Sequence, residues 1–151
     1  MANVYDIVNG LSDLKFYDIP VKAGQLDADM SRGRWVYMDA TEEAVVAPAS
    51  PANMNHSVYR PIWSGKEKPD SEETNLVTTV YGEHEAYTDE YVADPTVMVP
   101  ARPVWAALQS LVVVDGELVP YLAGTDDEQA IVGHMVAMPD SNGRMRIHIN
   151  G

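Results

Sequence analysis

Short runs in which apolar and polar residues alternate make up most of the chain. One such run is RMRIHIN, residues 144–150, whose apolar positions are Met145, Ile147 and Ile149. LVTTVYG, residues 76–82, alternates in the same way. Successive side chains of a β-strand point to opposite faces, so a period of two is typical of a strand with one buried face. Both runs are therefore predicted to be strands.

An Asp-Gly pair marks the clearest turn. In LVVVDGELVPY, residues 111–121, apolar runs flank Asp115 and Gly116. Asp-Gly is favoured in two-residue hairpin loops because both residues of such a loop take positive φ angles. The sequence therefore predicts a β-hairpin with strands at Val112–Asp115 and Glu117–Pro120.

Less regular runs predict further strands. LKFYDIPVK, residues 14–22, alternates, and Pro20 limits it to a sheet edge or ends it, because proline has no N–H to donate. AIVGHMVAM, residues 130–138, contains Gly133, which indicates a bulge or a close backbone contact. VWAALQS, residues 104–110, predicts a short helix before the hairpin. The remaining predicted strands are Arg34–Asp39, Ala44–Ala47, His56–Ser64 and Glu83–Val92.

The spacing of these runs indicates the fold class. Turn signals recur about every 8–12 residues, and no long segment outside Trp105–Leu111 has a helical period. This pattern predicts an all-β fold: a small β-barrel or β-sandwich of about eight to nine short strands. Residues 1–13 contain Asn9-Gly10 and several other polar residues. They are predicted to form an N-terminal arm, and residues 14–151 a single β domain.

Charge limits the class of partner. The formal net charge is −13, which disfavours nucleic acid and anionic membrane surfaces and favours a basic or mainly apolar partner. No apolar run approaches the roughly 18 residues typical of a membrane span. Nine acidic residues lie in the segment from Lys66 to Asp94, where a solvated acidic face is a simpler interpretation than a cation site.

Motifs for catalysis or cofactor binding are missing from the sequence. There is no cysteine, which excludes disulfides and thiolate metal sites. The four histidines form no HExxH motif, and there is neither a GxSxG nucleophile motif nor a glycine-rich phosphate loop. The sequence thus predicts no catalytic residue, no metal ligand and no cofactor. A metal site assembled from distant residues stays open as an alternative.

Aromatic and apolar residues are the better candidates for function. Tyrosine, of which there are eight against one phenylalanine, is common at protein–protein interfaces. Trp35, Trp63 and Trp105 are interpreted as core or interface residues rather than as a carbohydrate-binding face. The candidate partner-binding residues lie in the predicted arm and first strand: Val4, Tyr5, Ile7, Val8, Phe16 and Tyr17.

Four segments, in this order along the chain, carry a family resemblance. They are VYRPIWSGKEKPD, LVTTVYGEHEAYTDEYV, LVVVDGELVP and AIVGHMVAMPDSNGRMRIHI, which cover the chain from about Tyr59 to Asn150. The arrangement resembles the head decoration (cement) proteins of tailed bacteriophages. In that group an Asp-Gly hairpin is followed by a glycine-containing strand and a terminal alternating strand. One departure is Ala-Arg-Pro-Val-Trp-Ala at residues 101–106, where a Gly-Thr/Ser-Pro-Leu type of turn is common.

The resemblance implies a structural rather than an enzymatic role. It implies a protein made in the host cytoplasm that binds the outer surface of the assembled capsid, bridges neighbouring major capsid subunits and stabilises the head. The implied partners are the major capsid protein and further copies of the chain in a symmetric dimer or trimer. Two alternatives stay open: another virion component, such as a tail, baseplate or fibre adaptor, and a carbohydrate-binding β module.

Overall fold

Two antiparallel sheets form the body of the protein. The structure, a computed structural model, describes residues 3–10, 13–46, 59–65 and 75–150. The six-stranded sheet contains β1 (Tyr5–Gly10), β7 (His84–Thr88), β11 (Met145–Ile149), β10 (Gly133–Ala137), β8 (Ser110–Val114) and β9 (Glu117–Pro120), in that spatial order. The five-stranded sheet contains β2 (Lys15–Pro20), β6 (Leu76–Tyr81), β5 (Tyr59–Ser64), β3 (Trp35–Met38) and β4 (Ala44–Val46).

The main core lies between the two sheets. Trp35 and Val80 of the five-stranded sheet belong to the same buried cluster as Leu111, Met135 and Ile147 of the six-stranded sheet. The all-β prediction is confirmed as a β-sandwich, and the sheets do not close into a barrel. The described residues form eleven strands, more than the eight to nine predicted, partly because the predicted arm contributes β1.

The five-stranded sheet also buries part of its other face. Ile19, Val36, Ile62 and Val77 form a second apolar cluster there with Met30, which is completely buried. A short 3-10 helix at Asp27–Met30 delivers the Met30 side chain to this cluster. Sheets that are covered on both faces carry apolar side chains on both faces of their strands, which accounts for the apolar residues on both sides of β3.

The N-terminal segment forms one edge of both sheets. β1 pairs with β7 from Tyr5↔Thr88, and β2 pairs with β6 as far as Pro20↔Leu76. The prediction of an edge strand ending at Pro20 is thereby confirmed. Residues 5–10, which lie within the predicted arm, form a paired strand in this fold, because Tyr5 and Ile7 turn into the core while Asp6 and Val8 are exposed.

The predicted Asp-Gly hairpin is confirmed as β8 and β9. Asp115 and Gly116 have φ angles of 50° and 78°, as a two-residue loop of this class requires. The tip contacts the other sheet. The backbone N–H of Trp35 donates to the Gly116 carbonyl at 2.8 Å, and Arg34 Nη2 donates to the Asp115 carbonyl at 3.0 Å. The hairpin therefore holds the two sheets together.

Two further predictions concern the chain on either side of this hairpin. A Cβ atom at Gly133 would lie 1.9 Å from the His148 carbonyl oxygen, which confirms the predicted close backbone contact. The predicted helix over residues 104–110 is wrong. The Gln109 side chain accepts from Ala106 N–H and donates to the Val104 carbonyl, and this closes a non-helical turn.

Candidate interaction surfaces

The histidines of the described segments pack or stack against other side chains of the six-stranded sheet. His84 is completely buried, whereas His134 and His148 stack on the outer face of the six-stranded sheet with ring centroids 4.9 Å apart. Within the described residues, no three His, Asp or Glu side chains are grouped so that they could hold a metal ion. His56, the fourth histidine, lies outside the described residues.

The buried His84 fixes β1 to β7. Its Nδ1 lies 2.7 Å from the Gly82 carbonyl oxygen and its Nε2 lies 2.6 Å from the Tyr5 hydroxyl. Since a carbonyl only accepts, Nδ1 carries the proton and Nε2 accepts from Tyr5. Burial lowers the pKa of His84 and raises the pKa of Tyr5, so burial favours the neutral form of both groups.

Charged side chains on the outer face of the six-stranded sheet satisfy one another. This outer ladder consists of Glu83, Glu85, His134, Arg146 and His148. Arg146 Nη2 lies 2.6 Å from Glu85 Oε1, and His148 Nε2 lies 3.0 Å from Glu83 Oε2. The hydrogen bond from Arg146 lowers the pKa of Glu85, so this carboxylate is stabilised in its charged form.

The predicted acidic face is interrupted by these ion pairs. Glu85 is paired within the outer ladder, and Glu90 lies 3.6 Å from Arg34 Nη1, where burial raises the pKa of its carboxyl. Neither carboxylate is freely solvated. The acidic residues at positions 67, 70, 72 and 73 lie outside the described residues.

The predicted partner-binding residues of β1 and its flank are mostly turned inward. Tyr5 is only 1% exposed and Ile7 packs against the main core. Val4 is half-buried, and its N–H donates to Asp89 Oδ1 at 2.9 Å. Tyr5 therefore belongs to the core of this structure. Val8 is exposed, because it lies on the same outward-facing side of β1 as Asp6.

The other two predicted residues, Phe16 and Tyr17, are exposed on β2. Phe16 contacts the Trp63 ring edge-on at 5.1 Å, while Tyr17 lies beneath the Arg60 guanidinium at 5.3 Å. Neighbouring residues of a strand point to opposite faces, so the two side chains contribute to different surfaces. β2 is the outermost strand of its sheet among the described residues, and such edges can accept an added strand.

An apolar loop, residues 94–109, forms a second exposed surface. Val97, Val99, Val104 and Leu108 are all at least two-thirds exposed, and Val99 is 100% exposed. None of the four is among the residues that the sequence predicts to bind a partner. The loop contains three prolines. Its first part has an irregular pattern and its last part has the pattern that wrongly predicted a helix, so the sequence does not show which side chains face outward.

The base of the apolar loop is firmly anchored. Arg102 and Asp126, both buried, form a two-pronged ion pair with N–O distances of 2.5 and 3.0 Å. Arg102 Nη1 also donates to the Pro120 carbonyl at 2.8 Å, and Trp105 Nε1 donates to the Val92 carbonyl at 2.8 Å. The loop therefore presents apolar side chains from a fixed platform.

The tryptophans do not assemble a common surface. Trp35 and Trp105 are buried in the main core, while Trp63 is exposed beside Phe16. The interpretation of tryptophans as core residues therefore holds for Trp35 and Trp105, and neither can stack on a sugar ring.

No helix in the described part of the chain has both the length and the apolar character needed to cross a membrane. In comparisons with known proteins, no protein-family model, no curated protein and no solved structure matches the chain.

Proposed function

We propose that this chain is a structural virion protein of a tailed phage, which binds the outer surface of the assembled capsid and stabilises the head. The observation that carries the proposal is the anchored apolar loop. Exposed apolar patches on soluble proteins are typical of protein-interaction sites. Val97, Val99, Val104 and Leu108 concentrate four exposed apolar side chains within twelve residues of this loop.

Anchoring of the loop favours binding. Ordering a flexible loop on association costs free energy, and a loop that is already fixed avoids much of this cost. The Arg102–Asp126 ion pair and the Trp105 hydrogen bond hold the loop before any partner arrives. A rigid apolar platform is the kind of surface a bridging protein needs when it binds two neighbouring subunits at once.

Charge supports a capsid surface that is basic around an apolar contact. The chain carries a net charge of −13. Opposite charge at the rim of an interface raises the association rate and suppresses wrong partners more than it adds affinity. The apolar loop would then provide the affinity, and the net negative charge of the chain the selectivity.

Stabilisation of the head follows from linkage. A protein that binds the assembled shell better than separated subunits shifts the equilibrium toward the assembled shell. Many copies, each bridging two subunits, add large avidity from modest single contacts. Such a mechanism needs no reactive group, in keeping with an outer ladder whose carboxylates and histidines are bonded to one another.

The direct test uses heads of the parent virion that lack this protein. Adding the purified chain is expected to raise their resistance to heat and to osmotic shock. Saturating binding without any change in resistance would remove the stabilising role, and failure to bind would remove the proposal.

A matched pair of variants tests the surface. Leu108→Asp in the apolar loop is expected to weaken binding to the heads by about tenfold or more, since burying a leucine contributes about 1.5–3 kcal/mol. Leu26→Asp is the control, because Leu26 is similarly exposed, 68% against 76%, but lies outside the loop. Equal binding by both variants would show that the loop is not the contact.

Localisation on intact virions separates the proposal from its alternative. A gold-labelled antibody against the chain is expected to bind over the head. A signal confined to the tail, baseplate or fibres would instead identify an adaptor of one of those structures, for which the same loop would serve as the contact.

A further inference from the structure

Arg60 differs from the arginines that form ion pairs in this protein. Arg34, Arg102, Arg144 and Arg146 each lie beside a carboxylate. Arg60, on β5, forms no ion pair with the described residues, and its buried Nε has no hydrogen-bond partner among them. An arginine presents five N–H donors, and leaving a buried donor unsatisfied costs free energy. Arg60 therefore carries unused donor capacity.

Two tyrosines hold the Arg60 guanidinium in place. Its Cζ atom lies 5.3 Å from the Tyr17 ring centroid and 5.0 Å from the Tyr81 ring centroid. Both distances are within the range of a cation–π contact. The three residues come from β2, β5 and β6, and the two rings remain exposed. A planar guanidinium fixed in this way is preorganised to receive a planar anion.

Arg60 and Tyr17 line a pocket of about 390 Å³ beside the edge strand β2. This volume falls within the roughly 300–1,000 Å³ of typical ligand pockets. Five further residues complete the lining: Asp18, Ile19, Pro20, Met38 and Glu42. The Asp18 carboxylate accepts from the Thr78 hydroxyl at 2.6 Å.

We propose that this pocket binds a carboxylate presented by a polypeptide, with Arg60 as the residue that receives it. The guanidinium fork matches the two oxygens of a carboxylate. Glu42, an acidic residue of the lining, disfavours the doubly charged phosphate and suits a ligand with a cation next to its carboxylate. Ile19, Pro20 and Met38 contact the apolar part of the ligand. An acidic residue beside a basic one in an extended segment has all three properties.

The site goes beyond the proposed capsid role, because it needs no shell to be tested. The probe is the blocked dipeptide acetyl-Glu-Lys-amide, followed through the NMR signals of the Arg60 side chain and of the Tyr17 and Tyr81 rings. Saturable shifts of these signals are expected. Acetyl-Gln-Lys-amide is expected to bind on the order of tenfold more weakly, because it lacks the charge of the carboxylate. Inorganic phosphate should also bind more weakly.

Variants assign the binding to Arg60. Arg60→Gln is expected to lose about tenfold in affinity for the Glu dipeptide. The affinity of Arg60→Lys should lie between those of Arg60→Gln and the unmodified protein, because lysine keeps the charge but lacks the two-pronged guanidinium. Arg146→Gln is the matched control. Arg146 also lies over a tyrosine ring, that of Tyr87 at 5.8 Å, but Glu85 already occupies its donors.

Several results would overturn the proposal. These are the absence of saturable binding, equal binding of the Glu and Gln dipeptides, tighter binding of phosphate, and an equal loss in Arg146→Gln. Circular dichroism checks that each variant folds, and if Arg60→Gln does not fold, Arg60→Lys decides. Failure here would leave the head-binding test unaffected, since that test depends on the apolar loop.

Discussion

The two sheets each place an arginine against tyrosine rings, and the two arginines differ in their partners. On the six-stranded sheet, Arg146 lies over Tyr87 and donates to Glu85 at 2.6 Å. On the five-stranded sheet, Arg60 lies over two tyrosine rings and has no carboxylate partner among the described residues. The aromatic contact is shared, so the difference between the sites is the missing anion.

Other buried polar groups of the six-stranded half are satisfied in the same way as Arg146. In the six-stranded half, the buried Arg102 is satisfied by Asp126, and the buried His84 by Tyr5 and Gly82. Polar groups that satisfy one another stabilise a fold and have little left with which to bind a ligand. We therefore expect a ligand that binds through polar groups to bind at Arg60. We expect a partner that binds through apolar contacts to bind at the loop that Arg102 anchors.

The largest expected effect is the loss of the Arg102–Asp126 pair. Arg102→Ala leaves Asp126 buried and without its cation, which costs about 3–5 kcal/mol of the free energy of unfolding. Arg60→Ala removes only contacts with exposed rings and costs about 1 kcal/mol or less. Urea unfolding of the two variants and the unmodified protein measures both differences. Equal losses would contradict the distinction between a satisfied and an unsatisfied arginine.

A double variant controls for the role of charge. Arg102→Met combined with Asp126→Leu removes both buried charges, and is expected to be more stable than Arg102→Ala because no ion is left unpaired. If the double variant is no more stable than the single one, the loss arises from packing rather than from the ion pair.

A smaller, pH-dependent effect is expected from His84. Burial lowers its pKa, so the unfolded chain binds a proton near pH 6.5, the ordinary value, while the folded chain does not. The free energy of unfolding is therefore highest above about pH 6.5 and falls as the pH drops toward the lower pKa of the folded state. His84→Gln is expected to flatten this slope, measured by urea unfolding at several pH values.

His134 provides the control, because burial also lowers its pKa. His134→Gln should keep the part of the slope that His84 contributes. His84→Gln could instead leave the slope of the unfolding free energy against pH unchanged while His134→Gln removes it. The pH dependence would then arise from the outer face of the sheet and not from the His84–Tyr5 hydrogen bond.

Local sequence patterns predict the elements whose conformation depends on adjacent residues. The alternation of residues 144–150, the Asp115-Gly116 turn and the edge position implied by Pro20 each depend on only a few adjacent residues. The close contact at Gly133 is predictable too, because a glycine inside a strand usually marks a bulge or a place where another backbone approaches. Such patterns are sufficient for the all-β class without any knowledge of which strands pair.

Features that join distant residues could not be predicted. The sequence places Tyr5 in an arm because its partner, His84, lies 79 residues away along the chain. The Arg60 site forms only when β2, β5 and β6 are neighbours in the sheet. The residue pattern within one strand does not indicate which strands lie beside it. The surface of the apolar loop is hidden from the sequence for a related reason, since the loop is held at its base by the Arg102–Asp126 pair, whose members lie 24 residues apart.

The smallest expected effect is the coupling between Arg146 and Glu85. Both side chains are partly exposed, and exposed pairs contribute about 0.2–1 kcal/mol. A double-mutant cycle with Arg146→Gln and Glu85→Gln measures this coupling, which should weaken as salt is added. The matching cycle, Arg60→Gln with Asp18→Asn, should show no coupling within error, because Arg60 does not pair with Asp18. A salt-sensitive coupling of similar size in the second cycle would mean that Asp18 already occupies Arg60, and the contrast between the two sheets would fail.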